Sequence, residues 1–185
     1  MIDFPAMTAR QAQAYLQSWV ATTPSRREWL EQQLAADGRA PLRSDLASLE
    51  EVAQWLGTAT RLRDGVVLGG PMPDLSQVNP EQLPSWFDAS PAGAWMFDDA
   101  SAWAIDAAAL NFGHVVTTLD PQVTWVVDRQ RRQYLHQNRP GLTREGLAVP
   151  IHPLSVYVGA LIGLHWDGTP PAQTVRTRLA ELGLS

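Results

Sequence analysis

The sequence predicts an α+β domain in which amphipathic helices pack on a small, mostly antiparallel sheet. Three observations predict it. Apolar residues recur at three- and four-residue spacing in the first third of the chain and again after residue 98, the period of helices buried on one face. Around 123–128 that spacing gives way to alternation, the pattern of a strand. With 185 residues, 45% hydrophobic and 18% charged, the chain has the size and balance of one domain with one core. It divides into a helical part (1–63), a loop region rich in Pro and Trp (64–97) and an α+β body (98–185).

Thr8 caps a first helix that carries Ala12, Tyr15, Leu16, Trp19 and Val20 on one face. A second helix starts near Thr23 or Ser25. Ser25 with Glu28 fits a capping box, whereas Pro24 suits the first turn if Thr23 is the cap. Trp29, Leu30 and Leu34 form its stripe and Gly38 ends it. Ser48 with Glu51 is another capping box, opening a helix through Val52, Trp55 and Leu56 to Gly57. Residues 66–68 fit a short strand before Gly69-Gly70. The stretch 71–91 holds five prolines together with Trp86 and Phe87, so it reads as a loop packed back on the body.

Asp98 or Asp99 caps the most apolar helix, 100–117. Its apolar residues wrap more than one face, which predicts a central, buried helix. Val123, Trp125 and Val127 alternate with Thr124, Val126 and Asp128 as a strand. A charged turn, 129–132, leads to a returning strand at 133–137 that ends at Asn138-Arg139-Pro140-Gly141. Pro153 starts a helix carrying Leu154, Val158, Leu161 and Ile162. Thr169-Pro170 opens the last helix, with Val175, Leu179 and Leu182.

Composition excludes several chemistries. The chain has no cysteine, so disulfides, thiol catalysis and thiolate metal sites are ruled out. All 14 basic residues are arginine, which removes a P-loop lysine and Schiff-base chemistry. A net charge of -5 argues against nucleic acid and against anionic lipid as partners. The first eight residues lack a signal sequence, and the apolar run 154–164 is too short for a membrane span, so the expectation is a cytoplasmic protein. Lysine-free, Ala-, Pro- and Arg-rich usage fits a bacterial genome with high G·C content.

The residues that chemistry would have to draw on are few. His136, His152 and His165, with Asp128 or Asp167, are the candidates for a metal or ligand site, although no helical i, i+4 pair or His-x-Glu signature accompanies them. Asp106 and His114 are polar residues on the apolar helix, two turns apart. No nucleophile elbow is present, so no catalytic residue and no cofactor is assigned. The basic cluster Arg129, Arg131, Arg132 and Arg139, with Tyr134 beside it, is a candidate surface for an acidic partner or anionic ligand. Trp86, Trp95 and Trp166 lie in or beside loops, where exposed aromatics would anchor a partner.

The apolar helix 103–116, the Trp-centred strand 123–128 and the returning strand ending in Asn138-Arg139-Pro140 resemble several bacterial families of unknown function. Some members are predicted immunity proteins of polymorphic toxin systems. The resemblance covers 98–164 and rests on packing residues, so it implies a fold and carries over no catalytic position. The expected function is protein–protein interaction without catalysis, immunity-like in its finer form. The alternative is a binding protein or hydrolase for an anionic small molecule, using Arg and His.

Overall fold

The computed structural model describes residues 2–71, 78–87, 93–129 and 136–184. Among the described residues six α-helices run in the order α1 (Ala9–Ala21), α2 (Thr23–Ala36), α3 (Leu46–Ala59), α4 (Asp99–Leu119), α5 (Pro153–Asp167) and α6 (Pro171–Glu181). Two short strands, β1 (Thr124–Val127) and β2 (Pro140–Thr143), pair antiparallel between α4 and α5. The architecture is therefore α+β, helices around one small antiparallel sheet.

Local capping chemistry sets the helix starts. Thr8 and Gln11 form a reciprocal capping box at α1. Asp98 accepts the Ser101 N–H at 2.8 Å to open α4. Pro153 occupies the first turn of α5, where a missing N–H is harmless. Two expected boxes do not form. Asp45, not Ser48, caps α3, accepting the Ser48 N–H at 2.8 Å, and Glu51 pairs with Arg43 instead. In α2 the Ser25 hydroxyl donates back to the Thr22 carbonyl, leaving that terminus without a side-chain cap.

Helix α4 is the axle of the molecule. Along it Ala102, Ala104, Ile105, Ala107, Ala108, Ala109, Leu110, Phe112, Val115 and Val116 are all buried. Its alanines present a smooth surface that α2, α3 and α5 approach on different sides. Gly113 completes this surface: a Cβ added there would stand 1.9 Å from the Trp125 ring, so the indole of β1 lies directly on the helix backbone.

Two predicted strands are corrected. Residues 66–68 form turns and loop; the nearest ladder contact is a single bridge between Leu62 and Phe97, since Gly65 and Gly69 take left-handed conformations on either side. The partner of β1 is 140–143. Residues 133–135 lie outside the described chain, while 136–138 form a turn that ends in left-handed Asn138 (φ 62°). That turn delays pairing until Pro140, which faces Val127 in the register. Leu142 then bridges to Ile151 on its other side. No helix among the described residues is long and apolar enough to cross a membrane.

Candidate functional site

The polar residues that sequence leaves scattered gather at two places, and Trp166 occupies a third. The first place is the base of the β1–β2 connection. Asp128 follows β1 directly, and its side chain is buried. Its N–H donates to the Arg139 carbonyl at 2.9 Å, and its own carbonyl accepts the Asn138 N–H at 2.7 Å, so the backbone closes tightly. His152 immediately precedes α5. Its Nδ1 lies 2.9 Å from the Pro140 carbonyl and its Nε2 lies 3.0 Å from Asp128 Oδ2. A carbonyl only accepts, so Nδ1 carries a proton, and the contact between Nε2 and the carboxyl needs a proton of its own. His136 stacks on this ring with centroids 4.2 Å apart. Burial, then the neighbouring His152 and Arg139, lowers the His136 pKa to about 4, against an opposing pull from Asp128.

A cleft of about 220 Å³ opens beside the pair, lined by His136, Ile151, His152, Ser155, Arg178 and Glu181. Its chemistry is largely spent on the protein itself. Both His152 nitrogens face protein acceptors, and Arg178 donates to both Glu181 oxygens at 2.8 and 2.9 Å. Among the described residues no group of three histidines or carboxylates is placed to hold a metal ion. His165 and Asp167 stand elsewhere, at the far end of α5. His165 is exposed with its ring 6.5 Å from Phe97, and Asp167 accepts from Thr169. Thus the structure brings His136, His152 and Asp128 together and leaves the other two candidates out.

What this cluster holds is the N-terminal segment. Asn138 Nδ2 donates to the carbonyls of Phe4 and Met7, each at 2.9 Å. The Arg139 guanidinium lies 5.1 Å over the Phe4 ring, and Arg129 Nη2 donates to the Ala9 carbonyl at 3.1 Å. Arg139 is therefore an interior residue, a correction to its place in a surface patch, because Phe4 offers its aliphatic stem and charge a covered seat. Arg129 stays exposed; Arg131, Arg132 and Tyr134 lie outside the described residues.

The second place lies on α4. Asp106 is buried, its Oδ1 accepting the indole N–H groups of Trp19 (2.8 Å) and Trp86 (2.7 Å) and its Oδ2 accepting Arg26 Nε (2.8 Å). Burial pushes its carboxyl pKa up, while the indoles and Arg26 pull it down. Trp86 is thereby a core residue and not a surface anchor, since a loop that supplies an indole N–H to a buried carboxylate must itself be buried. Trp95 is buried too, in the single turn Ala94–Met96 that packs under α5. His114 does not join Asp106; it lines a separate cavity with Arg27, whose Nε donates to Asn111. Only the isolated aspartate in an alanine-rich helix signals this knot in the sequence.

Trp166 alone meets the description of an exposed anchor. It is 62% exposed near the end of α5, and Val67, in the neighbouring turn, is 68% exposed. The Trp166 indole lies over Gly69: a Cβ placed there would stand 3.2 Å from the ring. The glycine's positive φ of 75° carries the turn close against the indole.

Comparison with known proteins finds no matching family model, no matching curated protein and no matching solved structure.

Proposed function

We propose that this chain is a non-enzymatic protein-binding domain that docks a partner through the Trp166–Val67 face. In its finer form the proposal is an immunity-like role, in which covering a partner's working surface requires shape and charge but no catalytic group. The observation that carries it is the exposed indole of Trp166. Leaving so large an apolar side chain in water forgoes about 2 kcal/mol of burial, and exposed tryptophans set beside other apolar groups are the usual anchors of protein interfaces. A second observation supports the non-enzymatic part: His152, Arg178 and Glu181 of the cleft are turned toward the protein's own backbone and side chains. Ser155, the hydroxyl of the lining, bonds to neither imidazole.

Affinity capture from the source cells tests it, with the wild type and Trp166→Ala/Val67→Ser compared quantitatively. The expected result is one or a few proteins retained by the wild type and lost from the variant, whose thermal unfolding is unchanged. No specific retention by the wild type, or an identical set with the variant, overturns the proposal.

A further inference from the structure

We propose that the pocket above Asp106, between α1, α2 and α4, binds a carboxylate on the outward edge of Arg26. The pocket encloses about 260 Å³, room for a small organic acid, and Trp19, Trp103, Arg26, Ser85 and Asp106 line it. Its elements are not those of the Trp166 face, so this inference stands apart from the protein-binding reading.

The argument starts from how Asp106 is saturated. A buried Arg–Asp pair ordinarily closes as a fork, Nε and one Nη on the two carboxylate oxygens. Here two indole N–H groups already occupy Oδ1. Arg26 is left with one bond, Nε to Oδ2 at 2.8 Å. Its guanidinium carbon also sits 4.2 Å over the Trp103 ring, which fixes the plane of the group. The Trp103 indole is itself held, its N–H donating to the Gln82 carbonyl at 2.8 Å. The result is a guanidinium immobilised on two sides, 28% exposed, with neither Nη donating to any residue described. Two parallel N–H groups on a rigid planar edge are the complement of a carboxylate.

The other pocket groups favour the same ligand. Ser18 and Thr22 donate their hydroxyl hydrogens to the carbonyls of Tyr15 and Trp19, so they add no competing donors. Arg26 and Asp106 together carry no net charge, which disfavours a multiply charged phosphate. The indoles of Trp19 and Trp103 offer apolar walls to the body of an organic acid. Because Asp106 offsets much of the attraction, binding of a small acid falls in the millimolar range.

Benzoate, a doubly capped peptide with one glutamate, and inorganic phosphate are titrated into the ¹⁵N-labelled protein while the indole N–H resonances are followed. Saturating shifts at Trp19 and Trp103 with benzoate indicate a free organic acid; tighter binding of the peptide indicates an acidic side chain. Arg26→Lys keeps the charge beside Asp106 but loses the planar edge, and is expected to weaken binding about tenfold. Contacts between benzoate ring protons and the Trp103 indole, read by NOE in the wild type, are expected and do not depend on how the variant folds. Failure of both carboxylates to saturate these resonances, phosphate binding as tightly as either, an unaffected Arg26→Lys, or benzoate contacts away from Trp103 each overturn the proposal.

Discussion

The imidazole of His136 lies almost flat on that of His152, with centroids 4.2 Å apart and planes 14° from parallel. The stack is stable while His136 is neutral. A positive charge there would lie against the His152 ring and face Arg139 and, across the cleft, Arg178, with Asp128 and Glu181 as the opposing charges.

The pH dependence of stability follows from that stack. Unfolded, His136 takes up a proton near 6.5; folded, only near 4. Between those values the unfolded chain binds more protons, so stability is full above 6.5 and falls as pH drops toward 4. The ring is half exposed, which limits the loss to about 1–2 kcal/mol. Urea unfolding at stepped pH measures it. His136→Phe keeps a flat ring in the stack and should flatten the slope; an unchanged slope would place its origin in other groups.

Asn138 ties the N-terminal segment to the hairpin. Asn138→Gly retains the left-handed backbone and removes the side-chain amide with its two bonds to Phe4 and Met7 and its long contact with Gln137, at a cost of about 1–2 kcal/mol. Asn138→Ala adds roughly 1 kcal/mol for its Cβ at positive φ. Hydrogen exchange should quicken at residues 4–9 in both variants and leave α4 protected; protection unchanged at 4–9 would show the segment is held by other means.

Asp106 joins α1, α2, α4 and the 78–87 loop through a single carboxylate. Asp106→Asn leaves the Arg26 charge without its partner and turns an amide N–H₂ toward one of three donors, so a loss of about 3 kcal/mol is expected. Near-UV circular dichroism should change with it, because Trp19 and Trp86 lose their common acceptor. A wild-type spectrum and wild-type stability would refute the hub.

Gly113→Ala tests the seating of the sheet on α4. The new methyl would meet the Trp125 ring at 1.9 Å, and that ring cannot turn away freely because it packs edge-on against Trp19 at 5.5 Å. Overpacking of this kind costs about 2–3 kcal/mol, readable as a fall in thermal midpoint. A variant as stable as the wild type would mean that β1 shifts without strain.

What the sequence determined alone is what short-range physics controls. The apolar stripes, the Thr8 and Asp98 caps and Pro153 at a helix start act within one or two turns, so α1, α4 and α5 were legible with their buried faces. The burial of α4 on more than one face was equally plain, because an alanine- and valine-rich surface has no other stable place. Tertiary structure decided the rest, where two segments compete for the same groups. The Ser48–Glu51 box was locally sound, yet Glu51 pairs with Arg43 and Asp45 took the cap. The strand that pairs with β1, 140–143, begins after Asn138, which turns the chain left-handed to reach Phe4 and Met7, a contact 134 residues away in sequence. His136 and His152 converge on Asp128, while His165 does not, for the same reason. Spacing along a chain governs which residues share a helix face, but only the packing of α5 against α3, α4 and α6 determines which faces meet.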